Sequence, residues 1–289
     1  MSAPELVTPE LLRGWPLPDP EGSKSSRGQV VVVGGAATTP GGVALAGLAA
    51  LRVGAGRLQL ALAASVAAAT AAAFPEAGVL PLPETTGGSV SGHAAAAALH
   101  DVVGSADAVL VGPGLDDVDE AVALLDALLP HVGQRSALVL DAYALGALAR
   151  SDATVTLLAD RDGPVVLTPN SRELALLAGV EEPADDTVVY VARRYAACVT
   201  SSSTIADRES HTWRVPQGHP GLATAGSGDV LSGLVAGVLA RGADAARAAC
   251  WATYLHATAG ERLSSAVGGL GFLARELVDQ VPPVLAELA

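Results

Sequence analysis

Short runs of branched apolar residues alternate with longer stretches of helical periodicity along most of the 289-residue chain. Gln29 to Val33, Arg57 to Leu62, Asp107 to Val111, Ala137 to Leu140 and Pro164 to Leu167 are apolar runs that each end at a turn or a polar residue. Such runs lack the in-and-out alternation of a half-exposed strand and predict a parallel sheet covered on both faces. Between them the spacing predicts helices over Gly42 to Val53, Asp119 to Leu129, Glu173 to Leu177, Asp229 to Leu239 and Asp244 to Leu263. The longest uncharged stretch, Leu58 to Pro75, contains Gln59, Ser65 and Thr70 and is mostly alanine. A strand followed by an alanine-rich helix explains it better than a bilayer span, which takes ~20 strongly apolar residues. Glu84 to Gly92 and Glu181 to Thr187 read as exposed loops, and no internal repeat is visible. The organisation expected is a Pro-, Gly- and Ser-rich arm over residues 1–27 and one α/β domain over residues 28–289. An open α/β sheet binds ligands beyond the carboxyl ends of its strands, so the residues that follow the strands are the candidates for chemistry.

Composition narrows the classes. With 50% hydrophobic and 16% charged residues the chain buries a sizeable core, which excludes general disorder. Seventeen cationic against thirty acidic side chains give a net charge of −13, and nucleic acid and anionic membrane surfaces both require a basic footprint instead. Cys198 and Cys250 have neither CxxC nor metal-ligand spacing, so a disulfide scaffold and a zinc ribbon are not expected and a reducing cytoplasm fits. Met1 to Glu10 shows no basic-then-apolar signal pattern. Lys24 is the sole lysine, which removes the Gly-Lys-Ser/Thr of a P-loop.

Five stretches carry candidate chemistry. Gly34-Gly35 with Pro40-Gly41-Gly42 follows the first strand without a Gly-x-Gly-x-x-Gly fingerprint, and a tight turn explains it by itself. Gly112-Pro113-Gly114, followed by Leu115 and Asp116, is either a stiff turn or a floor for a ligand. Asp141 closes an apolar strand; a turn former and a carboxylate that orients metal-bound water are both open. Asn170 with Glu173 three residues on reads as an approximate capping box. The strongest stretch is Gly218-His219-Pro220-Gly221-Leu222-Ala223-Thr224-Ala225-Gly226-Ser227-Gly228-Asp229, which opens a helix. Gly226 and Gly228 would bare the first helical N–H groups, and the helix dipole favours an anion there by ~0.3–1 kcal/mol. Asp229 beside that hole is either a cap or a general base that takes a proton from an alcohol as phosphate arrives. The base is the stronger reading, because a cap needs neither flanking glycines nor a preceding His-Pro-Gly. His256 lies among apolar residues and reads as a packed, hydrogen-bonded side chain; no metal-ligand set is legible.

These stretches, in this order, resemble the ribokinase-like superfamily and, more closely, the ADP/ATP-dependent NAD(P)H-hydrate dehydratase family, from about Lys24 onward. The resemblance rests on VVVGGAATTPGGVALAGLAALRVGAG, VLVGPGL, LVLDAYALGAL, VLTPN with Glu173, GHPGLATAGSGDVLSGLVAGVLARG and YLHATAG. It implies a three-layer α/β/α fold around a mostly parallel sheet. It also implies nicotinamide-nucleotide repair, in which ADP or ATP phosphorylates the hydroxyl of hydrated NADH or NADPH and phosphate is then eliminated. By resemblance Asp229 is the catalytic base and Gly226, Ser227 and Gly228 form the anion hole. Gly42, Asp116 and Asn170 contact the hydrated nucleotide, and Thr200, Ser201, Ser202 and Ser203 face the donor phosphates. Mg²⁺ and a homo-oligomer are implied in the same way.

The chain departs from the family pattern at Gly42, where alanine is usual, at Asp116 after GPGL, and at Asn170 in place of histidine. The Lys-Gly that faces the donor phosphates is replaced within Thr200 to Ser203, so an arginine or a metal is expected to supply the missing charge. Asp116 places a carboxylate near an anionic substrate, too close for salt to screen, since the Debye length is ~8 Å at physiological ionic strength. An ATP-dependent kinase for a sugar or vitamin-precursor alcohol and a non-catalytic nucleotide-binding relative are the two alternative readings.

Overall fold

A computed structural model describes residues 3–18 and 23–288. In chain order the elements are β1 (Glu5–Leu6), α1 (Pro9–Gly14), β2 (Gln29–Val33), α2 (Gly41–Arg52), β3 (Arg57–Ala63), α3 (Ala64–Ala73), β4 (Gly78–Leu82), α4 (Gly92–Gly104), β5 (Ala108–Val111), α5 (Val118–Leu128) and β6 (Ala137–Leu140). The second half adds α6 (Tyr143–Leu148), α7 (Asp152–Ala159), β7 (Val165–Leu167), α8 (Ser171–Ala178), α9 (Thr187–Arg194), β8 (Cys198–Ser201), β9 (Thr204–Ala206), β10 (Thr212–Arg214), α10 (Ser227–Ala240), α11 (Ala245–Val267) and α12 (Ala274–Leu288).

The strands form one sheet in the order β1-β10-β9-β8-β7-β6-β5-β2-β3-β4. β2 to β8 are all parallel, whereas β9 is antiparallel to both of its neighbours. The apolar runs of the sequence are the central strands, and their residues divide alternately between two cores. Val30, Val32, Leu110 and Val139 pack with α2, α10, α11 and α12. Val31, Val33, Val111 and Leu140 pack with the layer that contains α4, α5, α8 and α9. The fold is therefore the expected α/β/α sandwich. Part of the stretch read as an arm joins it. β1 pairs with β10, and Val7 and Leu12 are fully buried. Residues 19–22 of that stretch lie outside the described residues.

Strand order reverses between β2 and β5, so the loops after these strands lie side by side at the carboxyl edge, where such sheets bind ligands. The two loops are bonded to each other: the Gly35 N–H donates to Pro113 O at 2.9 Å and the Ala36 N–H to Gly114 O at 2.8 Å. Gly34 is required there, because a Cβ would stand 1.9 Å from Pro113 O.

α10 packs on α2 with both helices pointing the same way in matched register. Gly42, Ala46 and Ala50 of α2 lie opposite Asp229, Gly233 and Gly237 of α10. Each series has the four-residue spacing that keeps side chains on one helical face. A Cβ at Gly233 would stand 2.1 Å from Ala46 O and one at Gly237 2.6 Å from Ala50 O, so the backbones touch. Gly233→Ala is expected to push the helices apart at a cost of about 1–3 kcal/mol, the usual penalty for overpacking. It should appear as a lower denaturant midpoint with an unchanged m-value.

Candidate active site

The helix start found from the sequence lies earlier than expected. α10 begins at Ser227, with Gly226 as its cap at φ 87°, and Asp229 is its third residue. Among the described residues the Asp229 carboxylate accepts no hydrogen bond, so a capping role does not account for it. Instead it faces the start of α2: a Cβ on Gly42 would lie 3.1 and 3.2 Å from its two oxygens and 3.0 Å from Gly114 N. Glycine at 42 thus lets α2 and the Gly112–Gly114 loop close on the carboxylate, which is left half-buried.

The helix-start amides divide in their use. Ser227 N–H donates to Thr224 O at 3.2 Å, so it is not available to a ligand, contrary to the arrangement expected for residues 226–228. Among the described residues no protein acceptor takes the N–H of Gly228 or of Asp229, and Gly228 lines a cavity of ≈ 540 Å³. Thr200, Ser202 and Ser203 from the β8–β9 hairpin line that cavity, as do Asn170 and His256. Ser201 is buried at the end of β8 and does not line it. Gly42, Asp116 and Asp229 also lie outside it, so the start of α10 separates a nucleotide-sized cavity from the carboxylate. Asp116 lies two residues beyond Gly114 with Oδ1 enclosed and without a hydrogen-bond partner.

Among the described residues, no lysine, arginine, aspartate or glutamate lines the cavity. The arginine expected to replace the family's lysine is therefore not in its walls. Hydroxyls and amides remain, together with the helix dipole. Asn170 completes a capping box for α8: its Oδ1 accepts from the N–H groups of Arg172 and Glu173, and Glu173 accepts from its N–H at 2.9 Å.

Asp141 is the site residue whose role the sequence left open. It is buried at the end of β6, and Thr168 Oγ1 donates to its Oδ1 at 2.9 Å. The Ser232 hydroxyl bonds it as well, and that hydroxyl lies 3.2 Å from the Asp229 carbonyl one turn back along α10. Burial raises the proton affinity of Asp141, opposed by hydrogen bonds from Ser232, Thr168 and the Ala142 N–H. Burial, followed by repulsion from Asp141, lifts Asp229 to about 7. Glu173 is also raised, first by burial and with a contribution from Asp141. A base is most effective with a proton affinity near the working pH, and residue 229 is set there.

These carboxylates also bear on magnesium. Among the described residues no three His, Cys, Asp or Glu side chains could hold a metal ion by themselves. Magnesium is commonly bound by one or two carboxylates together with substrate phosphates and waters. Asp141 and Glu173 are desolvated, but they accept from Thr168 Oγ1 and the Asn170 N–H and neither lines the cavity, so the described residues supply no carboxylate in its walls for such a set.

A doubly covered, mostly parallel sheet with a bared helix start and a half-buried carboxylate at its carboxyl edge defines a ribokinase-like α/β domain. The sequence pattern of the NAD(P)H-hydrate dehydratases matches residues 30–283, and the chain belongs to that family. It is 42% identical to an ADP-dependent (S)-NAD(P)H-hydrate dehydratase of Xanthomonas campestris, over 100% of this chain and 99% of the relative. A bifunctional NAD(P)H-hydrate repair enzyme of Moorella thermoacetica is 35% identical over 94% of this chain, which spans 52% of that longer protein. Among solved structures, the ADP/ATP-dependent NAD(P)H-hydrate dehydratase of Bacillus subtilis, co-crystallised with ATP and Mg²⁺, superposes with a TM-score of 0.81 at 26% identity, covering 99% of each chain.

Asp141→Asn keeps the shape and removes the charge that repels the Asp229 carboxylate. The proton affinity of Asp229 then falls, so the acid limb of the kcat/KM–pH profile is expected near pH 7 in the parent and at lower pH in the variant. A limb that does not move would remove Asp141 from this role.

Proposed function

We propose that the protein uses ADP to dehydrate hydrated NADH or NADPH, with Asp229 as the base. The observation that carries this reading is the Asp229 carboxylate: without a hydrogen bond among the described residues, raised to about 7, and half-buried against Gly42, one residue from the cavity-lining Gly228. Asp229 takes the proton of the hydrate's hydroxyl, and that oxygen attacks the terminal phosphorus of ADP. The bond to the bridging oxygen breaks and AMP leaves. The N–H groups of Gly228 and Asp229 stabilise charge on the phosphoryl oxygens in flight, aided by the α10 dipole. Elimination of phosphate then breaks the carbon–oxygen bond as the adjacent ring carbon gives up a proton and the double bond forms, so ADP and hydrate become AMP, phosphate, a proton and the repaired dihydronicotinamide. Magnesium bound to the donor phosphates would supply the charge neutralisation that the cationless cavity lacks. Gly42, Asp116 and Asn170 are taken as contacts of the hydrated nucleotide, and the Thr200 to Ser203 hairpin as the donor-phosphate wall.

The same reading makes the protein a cytoplasmic homo-oligomer. Two free, buried cysteines, Cys198 and Cys250, accord with a reducing compartment. Among the described residues no helix is long and apolar enough to cross a membrane.

Incubation with hydrated NADH, ADP and Mg²⁺ is expected to restore dihydronicotinamide absorbance and to release AMP and phosphate in equal amounts. A phosphate ester that persists would identify an alcohol kinase instead, and nucleotide binding without turnover would identify a non-catalytic relative. Asp229→Asn should lower kcat by about 10²- to 10⁴-fold, the usual contribution of a general base. The same variant should be more stable than the parent above about pH 7. The folded state holds the Asp229 proton more tightly than the unfolded chain, whose value is near 3.8, so the ionised carboxylate costs stability. That gain is full above about pH 7 and fades as pH falls toward 3.8. Thermal unfolding across pH measures it.

A further inference from the structure

His256 is a buried histidine on α11 that the reaction does not use. Its Nε2 lies 2.9 Å from Ser227 Oγ and 3.0 Å from Ser227 O, and the residue lines the nucleotide cavity. Burial holds its proton affinity down at about 4, so the ring is neutral at neutral pH and carries one hydrogen. A carbonyl only accepts, so the contact with Ser227 O places that hydrogen on Nε2.

The backbone of Ser227 is then held by protein through both its N–H and its carbonyl. Its N–H bonds Thr224 O, while its carbonyl and hydroxyl both meet His256. The next two amides, those of Gly228 and Asp229, have no protein acceptor among the described residues. One turn before His256 on the same face of α11, Thr253 Oγ1 lies 2.8 Å from Thr200 Oγ1 of the β8–β9 hairpin, and both residues line the cavity. A single helix therefore grips both the hairpin and the start of α10. His256 thus adds a polar tie to a helix start that Leu45, Ala274 and Gly42 otherwise meet only by packing.

We propose that His256 is a positioning residue for phosphate: through Ser227 it fixes the first turn of α10, so that the cavity-lining Gly228 amide addresses the terminal phosphate of a nucleoside diphosphate. This rests on the reading of the cavity as the ADP site. The role belongs to a donor at the Nε2 position, and two amide side chains separate position from chemistry. Glutamine can place its amide nitrogen near Nε2, whereas asparagine is too short and reaches only the Nδ1 position.

The test is the affinity of the protein for ADP and for AMP, each with Mg²⁺ and no hydrate, by calorimetry on the parent, His256→Gln and His256→Asn. His256→Asn is expected to weaken ADP about tenfold, the effect of one hydrogen bond, while AMP, which lacks the terminal phosphate, changes by less than about twofold. His256→Gln should keep ADP affinity within about threefold of the parent. Equal loss for ADP and AMP, or equal behaviour of the two variants, would overturn the proposal. Turnover plays no part in this measurement, so a parent that binds ADP but fails to repair hydrate would refute the proposed reaction and leave this result standing.

Discussion

The backbone contact between α2 and α10 is the constraint on which the site depends. Gly233 and Gly237 let the helices approach until no Cβ fits between them, and the four-residue repeat that positions these glycines also positions Asp229. The carboxylate is thus aligned by the same packing that closes one face of the sheet. Close-packed interiors transmit strain instead of absorbing it, so a displacement one turn along α10 reaches the base directly. At the carboxyl edge of the sheet, reversal of strand order between β2 and β5 brings the Gly112–Gly114 loop against Gly42. Two independent features of the architecture, helix register and strand order, converge on one pair of oxygens.

Electrostatics at that point run against the overall charge. The protein carries −13, and its cavity walls contain no cationic side chain among the described residues. Anion binding therefore falls to amides, hydroxyls and a helix dipole, each modest alone but fixed in direction. Fixed dipoles need no reorganisation as phosphate moves, which suits a transfer step. The acidic residues nearby serve a different end. Asp141 raises the proton affinity of Asp229, and hydrogen bonds from Thr168 and Ser232 keep its own charge tolerable in a buried place. A neighbour of like charge tunes the base, and a neutral cradle receives the phosphate.

Much of this was legible in the chain. The central strands, the doubly covered sheet, the capping box at Asn170 and the glycine-flanked start of α10 all follow from residue patterns and agree with the structure. Short elements near the far edge, β9 and β10, and the pairing of β1 with β10 did not stand out, because edge strands of two or three residues carry too little periodicity to register. Ser227 illustrates a subtler gap. Its place between two glycines suggested a free amide, yet a turn back to Thr224 uses that amide, and the neighbouring Asp229 amide is left free instead. Helix boundaries shift by a residue or two, and at a helix start each residue shifted exchanges one free N–H for another.

By itself the sequence determined the layers, the order of the chemistry-bearing loops and the identity of the acid at 229, because periodicity, turn residues and helix-start glycines are local properties. Only the tertiary structure decided what that acid faces, how firmly it holds a proton and which side chains support it. Asp141, Ser232, Thr253 and His256 act across gaps of dozens of residues, or through a neighbour's carbonyl, and no local pattern encodes such distances. Burial and like-charge repulsion arise only when separate segments are packed together, and these are the terms that turn an ordinary carboxylate into one poised near neutrality.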